Sequence, residues 1–516
     1  MTNSLSLEID GKNLTVDDVI KVAENPNHKV SISKSALVLM KKSRSLVSEI
    51  VEKGDPVYGI NTGFGALSDK HIKKEDLKEL QYNLIRSHCT GVSSPLSKTA
   101  TRAVMLLRAN CLAQGHSGIN PDIVKLICEY LNHDIIPLVP SKGSVGASGD
   151  LAPLSHIALT LIGEGEVFYK NKKLPTSQAL KQAELEEITL GPKDGLALIN
   201  GTAVMAGLGC IAVSLAERLL KSADIIASMT LEGVRGTISA YDKRITALKP
   251  HRGQIDSCDN LNFLLSGNGI SEISASHKDC GKIQDPYSLR CLPQVHGACR
   301  QTYLHTKEVM QTEINSVTDN PLIFADDKEV ISGGNFHGEA ISFAMDYLAM
   351  GMAEIANISE RRGEKMMKPS FSSLPAFLID DNGLNSGLMI AHVTTAALVS
   401  ENKILCHPAS VDSIPTSTDK EDHVSMGVTA GLKLLTIIDN VTHSLGIELL
   451  CAAQAIDFHK PLKTTAPLLK VHNLVRDHVE FISKDRVLSH EIDTLAYQIR
   501  MGHIVSAVES NYGELK

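Results

Sequence analysis

Six long stretches of this chain, 97–115, 121–133, 293–317, 340–362, 384–405 and 424–456, place apolar residues three and four positions apart. That spacing lines one face of an α-helix, and so many long stretches leave little chain for a sheet-based core. Aromatic residues make up only 4% of the sequence and Trp is absent, so helices must pack through Leu, Ile, Val, Ala and Met. The expected fold is mainly α, a long-helix bundle with a few short β-hairpins. The hairpins are predicted in EVFYKNKKL (166–174) and LIFADDKEVIS (322–332), each folding about polar residues. No repeat, low-complexity tract or Ser/Pro linker interrupts the 516 residues. The expected organisation is a site-bearing N-terminal part, 1–220, followed by a helical part, 221–516.

One segment, LALINGTAVMAGLGCIAVSLA (196–216), is uncharged over a membrane-spanning length. It contains Asn200, Thr202 and three glycines and has no equally pure companion, so a buried core helix with a polar start is the expectation. Its Gly207-Leu208-Gly209 imitates a dinucleotide fingerprint but lacks the βαβ context and the following acidic residue. The net charge of −8 without a basic stripe argues against nucleic-acid binding, and DKHIKKEDLKEL (69–80) mixes both signs like a solvated helix face. The ten cysteines are scattered, with no C-x-x-C or H-E-x-x-H, so no metal site is expected. The first twenty residues carry neither a basic n-region nor an apolar h-region. A cytoplasmic protein with reduced thiols and no membrane partner is therefore expected.

The stretch GSVGASGDLAPLSH (143–156) has three glycines within seven positions, just ahead of an apolar helical pattern. A plain account is a tight loop leading to a helix capped by Asp150, with Pro153 in its first turn. A nucleophile elbow around Ser148 is disfavoured, because Asp150 takes the last glycine position and no strand precedes it.

A third account comes from resemblance. Ala147-Ser148-Gly149 resembles the triplet that the aromatic amino-acid ammonia-lyase family cyclises and dehydrates to a 4-methylidene-imidazol-5-one (MIO). Ring closure brings the Gly149 nitrogen to the Ala147 carbonyl, which a residue without Cβ permits most easily, and Ser148 loses its hydroxyl as water. The helix start near Asp150 would stabilise negative charge developing there. YGINTGFG (58–65), RSHCTG (86–91), LINGT (198–202), QDPYSLRC (284–291), TDNPLIF (318–324), GGNFHGE (333–339) and EDHVSMG (421–427) also resemble family motifs, in order. The resemblance covers nearly the whole chain and implies a fumarase-like helical bundle, a homotetramer with shared active sites, and no required metal.

Ser87-His88 is similar to the histidine-specific members, where tyrosine and phenylalanine lyases resemble His-Leu or Phe-Leu; those enzymes tend to carry Gln at the position of Glu421. An imidazole offers ring N–H groups that a carboxylate accepts strongly, with His88 as a complementary partner. The implied reaction is loss of ammonia from L-histidine to give trans-urocanate. Tyr58 is the favoured base for the β-proton, since a phenolate is a stronger base than a carboxylate, and Glu421 is its rival. Arg290 is implied as the clamp on the substrate carboxylate, Tyr287, Asn200 and Gln284 as orienting residues, and Phe336 as cover for the electrophile. Lys420, Cys89 and Thr90 depart from many relatives, and an inward Lys420 would compete for Glu421. A tyrosine or phenylalanine lyase, an aminomutase and a non-catalytic helical scaffold are the alternatives.

Overall fold

The computed structural model describes residues 5–267, 269–277 and 283–516 and is mainly helical; Cys280 lies outside the described residues. The predicted helix at 121–133 forms as Pro121–His133, with Pro121 in the first turn and the Asn120 side chain accepting the Asp122 amide. Those two features pre-set the helical φ and satisfy an orphan donor. The other long periodic stretches form Lys98–Ala113, Leu292–Glu313, Glu339–Met367, Met389–Leu405 and Gly427–Asp457. Both predicted hairpins are present, as Glu166–Tyr169 with Lys172–Pro175 and Leu322–Phe324 with Glu329–Ile331. A small parallel pair, Ser6–Ile9 with Lys29–Ile32, was not expected; the intervening helix Val16–Glu24 supplies its crossover.

One expectation needs correction. The uncharged run 196–216 is not one helix: Asp194–Ile199 ends at Asn200, and a new helix, Ala203–Gly233, begins after Gly201, whose φ is +137°. A less pure segment, Gly427–Asp457, is also long and apolar enough to cross a membrane but carries Lys433, Asp439 and Glu448. Burial inside the protein covers 72% and 78% of their most apolar windows, as core helices require.

The chain divides into two compact units. The first gathers the chain up to Ser214 with Thr306–Asp346 and Pro408–Leu432, and the second comprises Leu215–His305, Tyr347–His407 and Lys433–Lys516. In the first unit the Lys98–Ala113 helix is buried on every side from Ala100 onward. Its two arginines are satisfied there: Arg102 donates to the Val22 and Leu131 carbonyls and to Asp134, and Arg108 donates to the carbonyls of Ala197 and Thr318.

The second unit holds a polar centre that the sequence did not reveal. The buried carboxylate of Asp224 accepts hydrogen bonds from Ser257, Asn260, His296 and Arg300, at 2.8–2.9 Å. Replacing Asp224 with Ala would strand the buried Arg300 guanidinium, a loss of about 3–5 kcal/mol. Chemical denaturation should register that loss, and a change below about 1 kcal/mol would show the centre to be dispensable.

Candidate active site

The loop 143–150 is pinned at its end by a two-way backbone pairing with the turn 200–202. The Gly201 amide donates to the Ser148 carbonyl at 3.2 Å, and the Asp150 amide donates to the Gly201 carbonyl at 2.8 Å. Gly149 faces Gly201 in this parallel bridge, with φ +75°, and a Cβ on either glycine would collide with backbone. In such a bridge the bonds run to the flanking residues, so the N–H of Gly149 points away from the pairing. Asn200, one residue before the pinch, is buried and its side-chain Oδ1 has no hydrogen-bond partner among the described residues.

Asp150 does not cap its own helix, as the sequence suggested. Its side chain makes no cap hydrogen bond to Leu151–Leu161, and instead accepts the amides of Val204 and Met205, at 2.8 and 3.0 Å, in the first turn of Ala203–Gly233. Ser144 donates to its other oxygen at 3.2 Å. The carboxylate therefore ties the loop to a second helix N-terminus. Burial pushes the Asp150 carboxyl up to about 7, against the pull of the Met205, Val204 and Ser144 hydrogen bonds.

On the other side of the loop, Ala147 packs with Val424 and Met426, and the Met426 amide donates to the Val145 carbonyl at 2.9 Å. This contact brings in Glu421. The Ser148 hydroxyl donates to Glu421 Oε1 at 3.0 Å, while Thr416 and Ser417 donate to Oε2 at 2.7 and 2.8 Å. Ser417, Thr418 and Asp419 all take left-handed φ values of 51–64° to return the chain to Glu421. Lys420 is exposed, so Glu421 is held by three hydroxyls. Thr416 and Ser417 were missed; the hydroxyl-rich run just before Glu421 was the available signal.

His88 is half-buried, and its Nδ1 donates to the Leu84 carbonyl at 2.8 Å, which leaves Nε2 as an acceptor. Burial holds its pKa below the ordinary value, although the Leu84 hydrogen bond and the charge of Glu421 pull the other way. Tyr58 is shifted upward, by burial first and then by the charges of Glu421 and Asp319, while a hydrogen bond from the Gly65 backbone opposes the shift. Phe336 is half-buried; two residues on, a Cβ at Gly338 would strike Met205, whose amide binds Asp150. Tyr58, His88, Ala147, Ser148, Gly149, Asn200, Phe336 and Glu421 thus all belong to the first unit.

Gln284, Tyr287 and Arg290 belong to the second unit. Gln284 is exposed and Tyr287 is 71% exposed. The Arg290 guanidinium stacks over the Tyr287 ring, 4.6 Å from its centroid, and its Nε donates to the Asp285 carbonyl at 3.2 Å.

Residues 14–477 match the family described as aromatic amino acid lyase, and the chain belongs to that family. Histidine ammonia-lyase of Myxococcus xanthus (strain DK1622) is 48% identical over 502 residues, covering 97% of this chain and 98% of that protein. The crystal structure of histidine ammonia-lyase from Trypanosoma cruzi shares 42% identity with a TM-score of 0.91, covering 98% of this chain and 96% of that one. Tyrosine aminomutase from Streptomyces globisporus has the same fold, with a TM-score of 0.92 and 35% identity, covering 99% of both chains.

The Asp150 carboxyl ionises near 3.8 in a free chain and near 7 in the fold. The folded state therefore holds the extra proton between those values, and the stabilisation is complete below about pH 4 and lost as pH rises toward 7. Asp150→Asn keeps an acceptor for the Val204 and Met205 amides but removes the titration. Its melting temperature should lack the fall that the parent shows across this window; parallel curves for the two proteins would contradict the assignment.

Proposed function

We propose that this chain is a histidine ammonia-lyase, which removes ammonia from L-histidine to give trans-urocanate in the first step of histidine breakdown. The observation that carries the reading is the carboxylate of Glu421, held by Thr416 and Ser417 of its own loop and placed at Ser148, whose hydroxyl meets it at 3.0 Å before ring formation removes that hydroxyl. The family membership and the histidine ammonia-lyases among its relatives support it.

The residues at the pinch fit the MIO group. Gly149 already has the backbone turn that only glycine adopts freely, its amide is turned out of the Gly201 pairing, and the orphaned Asn200 Oδ1 waits for a donor. Ala147, Ser148 and Gly149 would form the group, which supplies an electrophile that makes the substrate amine a better leaving group.

The side chains around it divide the remaining work. Glu421 accepts one N–H of the substrate imidazolium, and His88, neutral and locked through Nδ1, accepts the other through Nε2. A phenyl ring would offer neither group a hydrogen bond, which disfavours phenylalanine as substrate. Tyr58 takes the β-proton as its phenolate. Asn200, Gln284 and Tyr287 orient the substrate, Arg290 clamps its carboxylate with two parallel hydrogen bonds, and Phe336 excludes water. The chain works as a cytoplasmic homotetramer in which neighbouring subunits complete the sites, and the exposure of Tyr287 supports that sharing of sites.

The direct test is a near-UV assay with L-histidine, L-tyrosine and L-phenylalanine. Urocanate absorbance from L-histidine alone is expected, and product from only the other two would overturn the substrate assignment. Glu421→Gln should lower kcat/KM for L-histidine by about 10- to 100-fold, the value of a hydrogen bond to a charged group. Tyr58→Phe should abolish turnover. Because only the phenolate acts as a base and its pKa is raised, the rate of the parent enzyme should climb with pH from neutrality. A flat profile would exclude Tyr58.

A further inference from the structure

Lys193 Nζ donates to Asp319 Oδ2 at 2.9 Å, and neither side chain is exposed at all. A buried ion pair is a weak source of stability, because desolvating two charges offsets most of their attraction. Its place in the first unit gives it another use. Lys193 takes a left-handed φ of 69° at the start of the Asp194–Ile199 helix. Three residues on, Leu196 presses against Gly59, and Pro321, two residues after Asp319, presses against the same glycine; a Cβ on Gly59 would lie 2.8 Å from each. The two segments that carry the pair therefore close on the residue next to Tyr58.

The carboxylate is also fixed in direction. Asp319 Oδ1 accepts the Asn320 amide at 2.7 Å, so Oδ2 is left for Lys193. The charged groups that act on Tyr58 are Glu421 and Asp319, both negative. Around Lys193 stand Asp319, Arg108 and Asp194, and Asp194 is itself engaged by Arg44 at 3.0 Å. Lys193 is thus the cation in direct contact with the carboxylate that opposes a Tyr58 phenolate.

We propose that the Lys193–Asp319 pair sets the proton affinity of Tyr58, with Asp319 resisting formation of the phenolate and Lys193 limiting that resistance. Both are positioning residues that act through Tyr58, and the consequence for turnover rests on Tyr58 being the base. A neighbouring negative charge favours the protonated phenol, and its counter-ion weakens the effect. The pair is therefore a regulator of the pH at which the base becomes available.

The test is the pH dependence of kcat/KM for L-histidine from about pH 7 to about pH 10, the range below phenol ionisation. Lys193→Met leaves Asp319 uncompensated and should displace the rising limb upward by about half a pH unit, or about threefold in rate at fixed pH. The double variant Lys193→Met/Asp319→Asn replaces the pair with neutral groups of similar volume, a change that protein interiors tolerate. It should displace the limb downward and raise kcat/KM at fixed pH, a gain that structural damage does not produce. Lys193→Arg should restore the parent profile.

A double variant that folds, by circular dichroism, yet keeps or raises the pH of the limb would overturn the proposal. The difference in tyrosinate absorbance between each protein and its Tyr58→Phe counterpart reads the phenol directly. Displacements seen there but not in kcat/KM would retire Tyr58 as base and keep the proposal. Their absence from both would overturn it.

Discussion

Two backbone turns approach each other at Gly149 and Gly201 more closely than any side chain would permit, and the geometry of the site descends from that contact. The pairing fixes Ser148, whose hydroxyl donates to Glu421, and Thr416 and Ser417 hold that carboxylate independently of Ser148. Behind Gly201, the Thr318 carbonyl and Arg108 leave no room for a Cβ, so the turn has nowhere to retreat. Arg108 lies on a helix buried all round, which makes the pinch as rigid as the core.

The electrostatics follow from the same crowding. Four carboxyls of the first unit, those of Asp150, Glu313, Asp319 and Glu421, are each answered differently. Asp150 receives two helix amides and burial raises its pKa; Glu313, also raised by burial, takes the Thr202 hydroxyl. Asp319 takes an ammonium, and Glu421 takes only hydroxyls. A carboxylate held by hydroxyls keeps its charge available to an incoming cation or N–H donor, whereas one held by an ammonium does not. That difference is the physical basis for assigning the substrate ring to Glu421 rather than to the other three.

Helices were legible from the sequence wherever periodicity and a start signal coincided, as at Asn120-Pro121. The break at Asn200-Gly201-Thr202 was not, because an uncharged run hides a change of direction that only packing imposes. The candidate site residues of the first unit were named by motif, but their partners were not. Lys193 and Asp319 are 126 residues apart, and nothing local marks two charges as a buried pair. Asp150 was recognised as a helix start but assigned to the wrong helix, since its true partners lie more than fifty residues away.

In our proposal the pinch at Gly201 shapes Ala147-Ser148-Gly149 for ring formation. The measurement that addresses it most directly is the intact mass of the folded parent chain beside that of Gly201→Ala. The parent should weigh two waters less than its sequence, and Gly201→Ala, purified in folded form, should retain its full sequence mass. A parent at full mass, or a Gly201→Ala chain lighter by two waters, would contradict the account.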